Sequence, residues 1–191
     1  MTFLQVAGNI IRKDWLSNAK IIVLFVIAMC TLLFVPKEDD KQQMMTVVLV
    51  GAAFGYTYLV FTVERARRSL PLLLGLPIRP LDLVIAKYVS LYSMCLVTAN
   101  VAGVFLYNLR LLYLFNAEVL FLATVFMAAI VIWDHPLAPS VPLFLLALAF
   151  QRDTVQKAMM PHLFPIASFA LSITPVIAIA SIVQFYKSSR P

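Results

Sequence analysis

Residues 44–63 read MMTVVLVGAAFGYTYLVFTV, twenty consecutive positions without a charged side chain. A helix of that length rises about 30 Å, the thickness of a bilayer's hydrocarbon layer. Similar apolar runs recur on both sides of it. A chain of 191 residues that is 62% hydrophobic and 13% charged cannot hide them all in one soluble core, since soluble domains carry roughly 25% charged residues. The pattern therefore predicts an all-α, polytopic integral membrane protein with about six transmembrane helices in a single domain over 1–191.

The chain opens on an amphipathic segment, 1–18. Phe3, Val6, Ala7, Ile10, Ile11 and Trp15 share one helical face, while Gln5, Asn9, Arg12 and Lys13 lie off it. Such a helix is expected to lie in the headgroup layer, with Trp15 as its anchor, the plainer alternative being the solvated start of the first span. Candidate spans follow at 20–36, 44–63, 83–109, 117–133 and 163–186. Lys87 is expected to snorkel back towards the headgroups, and Glu118 to sit close to the interface. The basic amino end ahead of Ile21–Val35 imitates a signal peptide, but no small-residue cleavage site follows, so a retained helix is expected.

One stretch leaves the count open. Asp134 to Ser140 holds Pro136 and Pro139, and the apolar run after it, Val141–Phe150, has only ten residues. It crosses only if it recruits its flanks, as 136–151; otherwise the spans number five. Basic residues do not choose between these. With the amino end inside, ten of the fifteen Lys and Arg fall on the inner side for either count, as the positive-inside rule requires. The amino terminus is thus expected in the cytoplasm, and the carboxyl terminus beside it if there are six spans. The net charge of +6 sits at the ends of apolar runs rather than in a basic tract, so nucleic acid is not an expected partner.

The expected span interiors hold no Asp, Glu, Lys or Arg. Proton relays, ion-coupled transport and membrane-embedded catalysis keep such residues because nothing else does their work. No enzyme activity, metal site or cofactor site is therefore expected on this chain. His135 and His162 stand 27 residues apart without ligand spacing, and Cys30 and Cys95 lie in apolar runs as inert thiols. Tyr56 and Asn100 are the polar candidates for lining a path, with hydrogen bonding between helices as the plainer use. No G-x-x-x-x-G-K-[ST] occurs, so ATP has no phosphate loop here.

The densest charge and stiffest backbone meet in the connection 64–82, at ERARRSLPLLLGLPIRPLD. Arg65, Arg67 and Arg68 hold it at the cytoplasmic surface. Leu70, Leu73, Leu74 and Pro77 form a short apolar ridge, and Pro80 imposes an extended backbone on Arg79. A rigid knob passes force between bodies as a slack loop does not. As a lipid-binding patch the same arginines contribute about 1 kcal/mol each. Physics alone leaves these two readings level.

The run Glu64-Arg65-Ala66-Arg67-Arg68, followed by Leu76-Pro77-Ile78 and by Val84, Lys87 and Tyr88, resembles the first cytoplasmic loop of type-2 ABC exporter permeases. Ile10 to Leu16 is similar to that family's amino-terminal helix. The likeness is good over roughly residues 5–90 and is only a six-span outline beyond. It implies a short cytoplasmic coupling helix that docks on a separate ATP-binding subunit, with Glu64, Arg67, Arg68, Leu70, Leu73, Leu74, Leu76, Pro77 and Arg79 at the contact. It also implies a second permease subunit, identical or not, in a lipid membrane, with ATP and Mg held by the partner ATPase. Export through the interface of the two permeases is the implied function. A non-transporting membrane anchor or assembly factor with a lipid-binding basic loop is the alternative.

Overall fold

The computed structural model describes residues 3–36, 38–62, 80–106, 109–133, 135, 137–150 and 163–188. Among these the chain is helical and has no strand. Six helices follow one another: α1 (Phe3–Leu32), α2 (Glu38–Thr57), α3 (Pro80–Leu106), α4 (Leu109–Trp133), α5 (Ser140–Phe150) and α6 (Leu163–Ser188). A five-residue π-helical turn, Tyr58–Thr62, extends α2. Four apolar stretches are long enough to cross a membrane, Ala7–Leu32, Leu81–Val101, Leu112–Trp133 and Pro165–Phe185, and Met44–Val60 is a shorter one. The protein is a multi-pass, all-α membrane protein.

Local chemistry sets the helix ends. Between Asn9 and Val35 the sequence has neither Gly nor Pro, so α1 runs straight through position 19, where a division between an interfacial helix and a first span was expected. Its last turn tightens through hydrogen bonds from Leu33, Phe34 and Val35 to carbonyls three residues back, and Pro36 follows. Pro80 opens α3, where a missing N–H costs nothing, and Asp82 lies in the first turn, next to the helix's positive end. α4 begins at Leu109 rather than 117, carrying Glu118 into the apolar stretch. α4 stops at Trp133, and the turn before Ser140 is closed by Ala138 N–H to His135 O and Ser140 N–H to Leu137 O, both 3.0 Å. Pro142 then falls in the first turn of α5.

α3 and α4 form the centre of the bundle. Of their apolar stretches 56% and 67% are buried, against 17% for α1 and for α6. Leu91, Met94, Cys95 and Ala99 of α3 and Phe115, Val119, Ala123, Phe126 and Met127 of α4 meet Met45, Leu49, Ala52, Ala53 and Tyr56 of α2 in one core. The outward faces of α1 and α6 remain apolar at Val23, Leu24, Ile27, Phe169, Val176 and Ile179, the surface that hydrocarbon covers. Phe25 of α1 lies over Gly51 and Gly55, where added Cβ atoms would meet its ring at 3.7 and 3.5 Å. The ring also meets Tyr56 edge to face, centroids 5.3 Å apart.

Paired side chains give the helix directions. Asp14 meets Lys87 and Trp15 meets Ser93, so α1 and α3 run the same way. Tyr92 with Thr124 and Asn100 with Asn116 set α3 antiparallel to α4. Phe54 with Phe126 and Thr46 with Glu118 set α2 parallel to α4. α6 passes Tyr113 of α4 at Ser168 and Tyr88 of α3 at Ser181, so it also runs parallel to α4. The starts of α1 and α3 and the ends of α2, α4 and α6 therefore share one end of the bundle. The end of α4 and the start of α6 thus lie at opposite ends of the bundle, and α5, between them in sequence, has 11 residues, about 16 Å of helix.

Candidate functional site

The start of α3 is where the bundle is most heavily fastened by polar contacts. Helix geometry turns successive side chains by about 100°, so neighbouring residues of α3 reach different partners. Lys87 and Ser93 reach α1, Tyr88 reaches α6, and Tyr92 reaches α4. The Lys87 ammonium donates to both oxygens of Asp14, at 2.8 and 3.1 Å. Neither side chain reaches solvent, with 0% and 3% of their surface exposed. Lys87 thus does not snorkel as expected. Asp14 stands at its level on the facing helix, and pairing removes the need to reach the headgroups.

Asp14 is held from behind. Its carbonyl accepts from Asn18 Nδ2 at 2.8 Å and from Ser17 Oγ at 3.1 Å. Beneath the pair, Ala7 and Ile10 pack on Leu83 and Ala86. Above it, Trp15 Nε1 donates to Ser93 Oγ at 2.8 Å. The apolar stripe expected to face headgroups is thus turned partly onto α3. Tyr88 Oη lies 2.5 Å from Ser181 Oγ, and Tyr92 Oη lies 2.6 Å from Thr124 Oγ1. The two rings meet each other, centroids 5.6 Å apart. The buried Ser90 Oγ of α3 has no hydrogen-bond partner among the described residues.

The expectation of charge-free spans is corrected here. α1 and α3 enclose Asp14 and Lys87, and the apolar stretch of α4 includes Glu118, which bonds Thr46 of α2. Asp14 was missed, although its signal is in the sequence. It lies on the same face as Ala7, Ile10, Asn18 and Ile22, in the middle of the buried stripe.

The expected path-lining residues serve contacts within the chain. Tyr56 is fully buried, with its hydroxyl 2.9 Å from Thr98 Oγ1. Asn100 Oδ1 accepts from Asn116 Nδ2 at 3.0 Å. Both lie where helices of the same chain meet, because an amide or phenol surrounded by apolar side chains needs a partner nearby. Glu64, Arg67, Arg68, Leu70, Leu73, Leu74, Leu76, Pro77 and Arg79 lie outside the described residues. The structure gives the two elements flanking them, the π-helical turn ending at Thr62 and α3 beginning at Pro80. Among the described residues no group of His, Cys, Asp and Glu is placed to hold a metal ion.

Residues 9–185, from the second turn of α1 almost to the end of α6, match the family model described as ABC-2 family transporter protein. The chain belongs to the ABC-2 transporter family. Comparison with curated proteins and with solved structures returned no match. As an ABC-2 permease it is the membrane component of an ABC transporter. The match extends well past residue 90, so the family pattern includes α4 and α6 as well as the loop that carried the resemblance. Lys87 and Tyr88, quoted for that resemblance, reach α1 and α6 respectively.

Proposed function

We propose that this ABC-2 permease forms, with a second permease subunit, the path of an ATP-driven exporter and is coupled to a separate ATP-binding subunit. Residues 64–79 dock on that subunit through Leu70, Leu73, Leu74, Leu76 and Pro77, with Glu64, Arg67, Arg68 and Arg79 at the rim. ATP and Mg belong to the partner chain, which performs the hydrolysis. Closure of the two ATPases displaces the docked segment, and the movement alters the opening between the permeases. Both termini face the cytoplasm, and 136–151 with its flanks makes the fifth of six crossings.

One observation carries the reading. The helix entered directly from the basic, proline-stiffened loop is tied to α1, α4 and α6 within its first four turns. A loop that only held lipid would need no such attachment. The parallel course of α4 and α6 supports an even number of crossings.

Purification from the native membrane in mild detergent tests the partner, and an ATP-binding subunit is expected to remain bound. The docking surface is tested by Leu76→Asp and by Leu73→Ser with Leu74→Ser. Each is expected to leave insertion intact and to abolish permease-dependent ATP hydrolysis, since a charge pressed into a dry cleft is costly. Unchanged hydrolysis in the leucine variants, with large effects from neutralising Arg65, Arg67 and Arg68, would replace docking by a lipid-binding role.

A further inference from the structure

We propose that the Asp14–Lys87 pair is a register pin that makes α1 and α3 one rigid body, so that displacement of the start of α3 moves α1 with it. The proposal deepens the coupling reading above and rests on it. It names the residues through which force would leave α3.

Three observations place the pin. Lys87 stands seven residues into α3 from Pro80, about 10 Å along the helix, close to the point where movement would enter. Its charge is fully buried and pairs with Asp14 of α1, 73 positions away in sequence. The same interface carries the Ala7, Ile10, Leu83 and Ala86 cluster below and the Trp15–Ser93 hydrogen bond above. Of the apolar stretch of α1, 17% is buried.

The physical argument turns on the solvent. In a bilayer, apolar side chains gain little by leaving lipid tails for another helix, so apolar contact alone sets neither partner nor register firmly. A buried ammonium and carboxylate behave otherwise. Sliding α1 by one turn along α3 would draw the two opposite charges apart in a low-dielectric surrounding. Single polar pairs of this kind are best attested as register devices. The pair resists sliding in particular, the motion by which α3 would slip past α1 instead of carrying it.

Hydrogen exchange read by mass spectrometry tests this on the full chain with its copurified ATP-binding subunit in lipid nanodiscs, with and without ATP and vanadate. Wild type is expected to change exchange over 63–79 and over 22–36. The double variant Asp14→Leu with Lys87→Met keeps the interface filled and avoids a lone buried charge. It is expected to retain the shift over 63–79 and lose the shift over 22–36. Adding Ile10→Cys with Ala86→Cys, in a Cys30→Ala, Cys95→Ala background, and oxidising the new pair is expected to restore the shift over 22–36, with loss again on reduction. A merely structural pair would give no such rescue. An unaltered response in the double variant overturns the proposal, as does failure of the formed disulfide to restore it. A wild-type loop that does not respond to ATP overturns the coupling reading, and the pin with it.

Discussion

Lys87 Nζ lies 2.8 Å from Asp14 Oδ1, with both side chains shut away from solvent between the first helix and the helix that follows the basic loop. Each residue makes the other tolerable. Taking either charge out of water is costly, and the opposite charge beside it offsets that cost.

The first prediction concerns stability. Asp14→Ala takes the carboxylate away from a buried ammonium and is expected to destabilise the protein by about 3–5 kcal/mol, whereas Asp14→Leu with Lys87→Met is expected to be near neutral. Unfolding midpoints in one detergent compare them. Equal losses in the single and double variants would show that the pair contributes by shape rather than by charge.

Tyr88 and Ser181 provide a gentler test, since their hydroxyls join α3 to α6 at 2.5 Å. Tyr88→Phe and Ser181→Ala are each expected to cost under about 1 kcal/mol, with a coupling near 0.6 kcal/mol in the double-mutant cycle, the usual scale between membrane helices. A coupling of zero would mean that Tyr88 and Ser181 join α3 to α6 by packing alone.

Where α1 crosses α2, Phe25 leaves little room above Gly51 and Gly55. Gly55→Ala is expected to be tolerated, because its Cβ would meet the ring at an ordinary contact distance of 3.5 Å. Gly55→Leu is expected to cost about 1–3 kcal/mol through overpacking. Phe25→Ala should relieve the leucine variant, and thermal midpoints of the three proteins decide whether it does.

The directions of the helices predict a labelling pattern. In a background without Cys30 and Cys95, single cysteines at Phe34 and Leu109, both strongly exposed at one end of the bundle, are expected to react with an impermeant thiol reagent in intact cells. A cysteine at Ser189, following the end of α6, is expected to react only after permeabilisation. Labelling of Ser189→Cys from outside would contradict the parallel course of α4 and α6.

The helices were largely legible because their signals are local. Long apolar runs, a stretch without Gly or Pro, and Pro80 at a helix start act on neighbouring residues. Asp14 was half legible. Its spacing from Ala7 and Ile10 puts it on the apolar face, but nothing within α1 says which residue, if any, neutralises it. Lys87 points to snorkelling for the same reason, since its partner lies 73 positions away. The polar roles of Tyr56 and Asn100 likewise depended on Thr98 and Asn116 across helix contacts.

By itself the sequence determined that this chain belongs in a membrane, as helices, with a basic, proline-containing connection between its second and third apolar runs. Composition and periodicity suffice for that, because hydrocarbon demands that each segment satisfy its own backbone. Only the tertiary structure decided that α6 runs parallel to α4 and that the start of α3 is fastened to α1, α4 and α6. Lipid gives apolar helices little reason to prefer one neighbour or one register. A few polar side chains make that choice, and which of them meet is a property of the packed bundle rather than of any segment.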